Sequence, residues 1–222
     1  MHACSVPEAA KRLGVSEQRV RAMIHSGRIR ASRIGHRWLV ESDLEGLPRA
    51  QAGRPLEAAN AWALLALLSG DSPEWIHPSV RSRLRKRMGQ LNWLESALAG
   101  SQPRARIHRW RVLPGDIDKL DGAFRLVRSG LSADYPHLDV VPDSRQVDAY
   151  VEESSLGEIE RRFRPERRSS DPNLLLRVPS HDWILRRKGQ APAGVVAADL
   201  LRSDDPRVAG AARRLLRRLA HD

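Results

Sequence analysis

The strongest constraint on this chain lies between Ser5 and Leu47, where a helical apolar period gives way to a strand period within a few dozen residues. Val6, Ala9, Ala10 and Leu13 recur at helical spacing around Pro7, a residue suited to a first helical turn because it has no N–H to leave unpaired. Gly14 ends that helix, Val15 turns inward, and Ser16 offers a hydroxyl to the orphan N–H groups of a second helix running to about Ser26. On helix two Val20, Met23 and Ile24 form one apolar side, so Glu17, Gln18, Arg19, Arg21, Ala22 and His25 point elsewhere. Ile29 to Ile34 and Trp38 to Val40 then alternate around Gly35-His36, a two-residue hairpin signal.

Two short helices joined at a Gly-containing turn, the second with an Arg-bearing outer face, are the parts of a helix-turn-helix, and the hairpin supplies a wing. Helix two is therefore expected in the major groove of double-stranded DNA. Arg33, His36 and Arg37 cluster at the wing tip, within reach of a phosphate or the minor-groove edge. Residues 11 to 37 hold eight Lys or Arg against the single acid Glu17. The competing reading is a solvated helical hairpin in an Arg-rich chain, but compositional bias does not place Gly35 and Trp38.

The residues resemble the winged helix-turn-helix of the MerR and excisionase families. Glu8-Ala9-Ala10, Leu13-Gly14-Val15-Ser16, Gly27-Arg28-Ile29 and Gly35-His36-Arg37-Trp38 stand where those families carry E-A-A, L-G-V-S, a G-R-I step and a G-x-R-W wing. By position the resemblance implies helix-two contacts from Gln18, Arg19 and Arg21 and wing contacts from Arg33 and Arg37. Ser16, Arg28 and His36 complete the candidate set in this stretch. MerR sensors dimerise through a long helix after the wing, whereas Pro48 and Gly53-Arg54-Pro55 stand here, so a metal-sensing regulator is not expected.

The formal charge of +11 is concentrated in the first half: residues 1–50 carry +4, 51–113 carry +6 and 114–222 carry +1. Such a field speeds association with any polyanion, nucleic acid first. The start of the chain lacks the apolar run of a signal peptide, and the longest apolar run, Ala61 to Leu68, is too short to span a bilayer, so a cytosolic protein with no membrane association is expected. One cysteine, Cys4, excludes an internal disulfide and a thiolate-rich zinc site. His2 and Cys4 offer two ligands with no complementary pair, so neither a metal nor a cofactor is expected.

An α+β protein is predicted, with the winged reader over 1–47, a linker over 48–55, a helical segment over 56–103 and an α+β regulatory or partner-binding domain over 104–222. Leu56 to Leu68 reads as a buried helix. A second helix is expected from Pro78 to about Ala99, and Arg81, Arg83, Arg85, Lys86 and Arg87 crowd its first half. Three readings apply to that crowd: DNA phosphates, with Arg81, Arg85 and Lys86 as contacts, an acidic partner protein, or a solvated face. Further on, Ile107–Leu113, Arg125–Val127, Leu138–Val141 and Leu174–Val178 are read as strands. Asp116–Leu120, Val147–Val151 and Leu156–Phe163 are read as helices, Val195–Leu201 as strand or helix, and Asp204 or Asp205 caps a last helix to about Ala220.

No P-loop, G-x-S-x-G, H-E-x-x-H or Rossmann glycine pattern is present. Asp116 and Asp118, joined by Asp199, form a weak two-magnesium constellation, against which Asp116 reads as a plain helix start. His181-Asp182 beside Trp183 lacks a partnered nucleophile and is read as surface loop. The segments Ile107–Val112, Arg125–Ala133, Asn173–Val178 and Ala197–Leu216, in that order, loosely resemble AbiEi-type antitoxins, which are DNA-binding repressors of toxin–antitoxin operons. The expectation is thus a non-enzymatic transcriptional regulator, the antitoxin and autorepressor of a toxin–antitoxin pair, with a toxin protein and a second copy of the chain as candidate partners. A recombination directionality factor and a metal-dependent nucleotidyltransferase are the alternatives.

Overall fold

The computed structural model describes residues 3–13, 16–25, 29–35, 37–41, 55–135, 138, 145–167 and 169–220. The chain divides into two compact units, Met1–Arg54 and Pro55–Asp222. The predicted linker falls outside the described residues apart from Pro55.

In the first unit, strand β1 (Ala3–Ser5) leads into α1 (Val6–Leu13), followed by α2 (Glu17–His25), β2 (Ala31–Ile34) and β3 (Arg37–Glu41). The predicted hairpin is present: β2 and β3 pair antiparallel with Ile34 opposite Arg37, and Gly35 takes the left-handed φ of 59° that the turn needs. The sequence reading lacked β1, which pairs antiparallel with β3 on its other edge, so the wing is a three-stranded sheet ordered β1-β3-β2. Val6, Ala9, Ala10 and Leu13 of α1, Val20, Met23 and Ile24 of α2, and Cys4, Ile29 and Val40 close one small core.

In the second unit a four-stranded sheet, ordered β4-β7-β6-β5, carries helices on both faces. Strands β4 (Ala105–Trp110) and β7 (Leu174–Pro179) run antiparallel, β7 and β6 (Val147–Tyr150) parallel, and β6 and β5 (Val127–Arg128) antiparallel. Trp110, Val147, Ala149, Leu174, Leu176 and Val178 face one core, shared with α6 (Ile117–Ala123) and α7 (Glu153–Phe163). The alternate residues Tyr150 and Val127 face the other core, built on α3 (Ala58–Leu68), α4 (Pro78–Met88), α5 (Leu91–Ala99), α8 (Ala193–Leu200) and α9 (Pro206–Leu219). Segment 56–103 and the α+β part after it, separated in the sequence reading, therefore share one core.

Several elements differ from expectation for physical reasons. The helix read over 78–99 is two helices, because Gln90 is extended (φ −87°, ψ 92°) after Gly89 and breaks the ladder between α4 and α5. Val147–Val151 was expected as a helix and forms strand β6, buried along its whole length, with Val147, Ala149 and Val151 entering one core and Tyr150 the other. Val195–Leu201 resolves as helix α8, which is buried on every side. Asp116 begins a helical segment but caps nothing with its side chain, pairing instead with Lys119 Nζ at 2.8 Å. Asp205 does cap α9, accepting the Arg207 N–H at 2.8 Å. Of the strand expected over Leu138–Val141, only Leu138 is described, buried in a bend.

Candidate nucleic-acid interface

The reader is built outward from the core of the first unit. A reciprocal cap fixes the start of α1: Glu8 accepts from the Ser5 N–H (2.8 Å) and the Ser5 hydroxyl (2.9 Å), while the Glu8 N–H reaches Ser5 Oγ at 3.4 Å. The Ser-x-x-Glu spacing is a signal the sequence carried and the reading overlooked. The Ser5 backbone N–H, then its hydroxyl, hold the Glu8 carboxyl below the usual carboxylate range. Helix α2 opens at Ser16, whose carbonyl accepts the Val20 N–H at 3.1 Å.

Burial of Val20, Met23 and Ile24 turns Glu17, Gln18, Arg21, Ala22 and His25 to solvent, and Ser16 is exposed just ahead of them. Arg21 bonds Glu17 one turn earlier at 3.2 Å; both side chains are about half exposed, so the pair contributes little and yields easily to a phosphate or base. At the C-terminal end of α2, His25 Nδ1 meets the Arg21 carbonyl at 2.7 Å and its ring stands edge-on to Trp38 at 5.9 Å. Trp38 in turn carries the Arg33 guanidinium 5.9 Å from its ring centroid, opposite it in the β2–β3 register. The indole thus ties α2 to the wing and holds Arg33 on the exposed side, a role the sequence reading did not assign to either ring.

Arg19 and Arg37 lie in α2 and β3, their side chains outside the described part, and Arg28 and His36 lie outside the described residues altogether. Of the three cations chosen in the second unit, Arg85 and Lys86 are exposed, while Arg81 is already engaged with Ser72 Oγ and the Pro73 carbonyl. That engagement pins α4 to the preceding loop and makes Arg81 a structural residue first.

The weak catalytic constellation is not assembled. Asp199 lies fully within the core, bonded to Arg104 Nη2 (2.7 Å), Ser129 Oγ (2.7 Å) and the Tyr150 hydroxyl (2.8 Å), with Arg177 Nη1 at 3.6 Å. Among the described residues no group of three or more His, Cys, Asp or Glu is placed to hold a metal. Cys4 is buried on β1, and His2 lies outside the described residues. His181-Asp182 lies at the surface, where His181 caps the short 3-10 turn Asp182–Arg186: Trp183 is buried, its indole N–H bonds Asp71 at 2.7 Å, and His181 packs on Trp75 at 4.1 Å beside an open cleft of about 580 Å³. Burial lowers the His181 pKa, with Asp182 opposing.

Among the described residues no helix is long and apolar enough to cross a membrane. Residues 3–44 match the family model described as a helix-turn-helix domain. No curated protein and no solved structure matches the chain, and the AbiEi-type likeness of the second unit finds no support in these comparisons. The first unit thus carries a helix-turn-helix domain over residues 3–44, which supports a DNA-binding regulatory role.

Proposed function

We propose that the protein is a sequence-specific DNA-binding transcriptional regulator, acting as the antitoxin and autorepressor of a toxin–antitoxin pair. The observation that carries the DNA-reading part is the exposed polar face of α2, held by a closed core and braced through Trp38 against a three-stranded wing. In this reading Gln18 and Arg19, in the first turn of α2, contact base edges, and Arg is suited to a bidentate contact with guanine. Ser16, Arg21 and Arg28 contact the backbone beside the groove, and Arg33, His36 and Arg37 contact it from the wing. The second unit binds the toxin, and a second copy of the chain on a two-fold operator doubles the reader. The protein works in the cytoplasm, without a cofactor and without catalysis.

The test is a gel-shift and footprint on the DNA upstream of its own gene. Arg19→Ala should cost about 1–3 kcal/mol on the specific site and much less on random duplex. Equal losses on both would make Arg19 a phosphate contact and undo the docking. The antitoxin assignment requires that expression of this chain rescue growth when the neighbouring gene is toxic, and no such rescue would remove it. A recombination directionality factor uses the same excisionase-like module; an effect on an integrase reaction with none on transcription would favour it.

A further inference from the structure

The second unit separates its charge by layer. Helices α4, α5 and α9 together carry ten Arg or Lys and one acid, Glu95, whereas the rest of residues 55–222 sums to −3. Although α4 and α9 lie more than a hundred residues apart in sequence, α5 packs against both, so the three helices form one continuous layer. That layer is firmly seated: Val208, Ala211, Ala212, Leu215 and Leu216 of α9, Leu84 of α4, and Trp93, Leu94 and Leu98 of α5 all enter the same core.

Some of these cations have partners within the layer. Glu95 approaches Arg213 at 3.8 Å, and Arg87 lies over Trp93 at 4.9 Å. Arg83, Arg85, Lys86, Arg207, Arg217 and Arg218 are exposed, and no ion pair among the described residues joins any of them to an acid. Like charges held on adjoining rigid helices repel one another, and an extended anion is what relieves them.

We infer that the α4–α5–α9 layer is a phosphate-binding face for duplex DNA, used in addition to the reader of the first unit. The inference rests on the DNA-binding reading above. Duplex DNA matches an extended cationic surface because it presents phosphates at regular spacing along its length, and a single small reader gains from a second contact. A lipid surface fits less well. An interfacial helix must offer apolar side chains to the bilayer, whereas α9 turns its apolar side into the core.

The experiment uses the full chain and a duplex carrying its site. Replacing Arg207, Arg217 and Arg218 together with Ala should lower the slope of log affinity against log salt by about 2.7, at roughly 0.9 per lost phosphate contact. The preference for specific over random duplex and the unfolding midpoint should stay as in the wild type. The triple Lys variant should keep the full slope, which separates charge from fold. An unchanged slope in the Ala variant overturns the inference, as does loss of binding to polyglutamate or to anionic phosphatidylserine vesicles with the DNA slope intact. If Arg19→Ala abolishes sequence preference while the α9 variant leaves the slope alone, the reader stands and this face fails. If no duplex is preferred but the α9 variant still flattens the slope, the face stands and the regulator reading fails.

Discussion

Replacing Asp199 should unfold the second unit more readily than any surface change, and the size of the effect follows from its surroundings. The carboxylate is 1% exposed and sits between two guanidiniums, Arg104 at 2.7 Å and Arg177 at 3.6 Å, themselves 7% and 11% exposed. Asp148 takes up the rest of Arg177 at 2.5 and 2.8 Å. Two buried cations thus face two buried anions, and Asp199→Asn leaves one cation without compensation. Removing one member of a buried pair costs about 3–5 kcal/mol, because the remaining charge stays in the interior. Against a domain stability of roughly 5–15 kcal/mol, that is a large fraction. Urea denaturation followed by tryptophan fluorescence reads it directly, since Trp62, Trp75, Trp93, Trp110 and Trp183 lie in the second unit and only Trp38 in the first. Tyr150→Phe, which deletes one O–H donor to Asp199, should cost only about 1 kcal/mol. Acid adds a second arm. Burial pushes the Asp199 carboxyl up, but Arg177, Arg104 and the Ser129 and Tyr150 hydroxyls outweigh it and hold it below its ordinary value. Its stabilisation is therefore complete above the unfolded value of about 3.9 and is lost as pH falls toward the folded one. The wild type should lose stability on acidification more steeply than Asp199→Asn. An Asn variant within 1 kcal/mol of wild type, on the scale of about 3–5 kcal/mol expected for a buried pair, would refute the reasoning.

Gly130→Ala should destabilise the second unit by about 3 kcal/mol or more in the same urea assay, because φ is +52° and a Cβ there would fall on the Asp148 carboxylate. A Gly130→Ala protein as stable as wild type would mean that the turn can relax. Glu8→Gln should weaken the cap of α1, and in the wild type the cap should weaken as pH falls through the depressed Glu8 value, since a lowered carboxyl stabilises only while ionised. Amide exchange over residues 8–11 reports both effects. Trp38→Leu should keep the fold yet reduce specific DNA affinity, because it removes the ring that braces His25 and Arg33; unchanged affinity would leave the brace without a role.

What could be read in the sequence was local. The reader was legible because each of its parts is a short-range signal: the apolar spacing of α1 and α2, the Gly35 turn and the alternation on either side of it. Strand β1 was not, because Ala-Cys-Ser carries no pattern and exists only by pairing with residues 39–41. In β6 the run is short, and its second face is the polar Asp148 and Tyr150, which stay in the interior only because Asp148 meets Arg177 on the adjoining strand and Tyr150 meets Asp199. The break between α4 and α5 rests on a single extended residue, Gln90, inside an otherwise continuous helical stripe. Neither Arg104 nor Tyr150 could be connected with Asp199, since the contacts span 95 and 49 residues. The exposed set on α2 was reachable because, once a helix is placed, burial of one side decides what the other presents.

The same network decides what the likeness of the second unit is made of. The step Arg-Leu-Val-Arg-Ser-Gly-Leu-Ser-Ala at 125–133 and the Ala-Ala-Asp-Leu-Leu stretch at 197–201 belong to the segments that carried the AbiEi-type likeness, which the comparisons do not support. In the fold they meet: Ser129 donates to Asp199, Ser132 donates to the Asp148 carbonyl and accepts the Asp148 N–H, and Gly130 leaves room for the Asp148 carboxylate. Val127 and Ala133 fill the core beside them. These residues join the sheet to α8; Ser129 and Asp199 are spent on each other, whereas Arg125, Arg128 and Ser132 of the same step also line an open cleft. A motif spent on a buried junction reports how a chain folds and is silent on what it binds. The residues read as contacting DNA lie elsewhere, on the α2 face and the wing of the first unit and on the basic helical layer of the second. Changes that alter DNA binding should therefore map to those surfaces, while changes in the Ser129–Asp199 junction should lower stability and DNA binding only together.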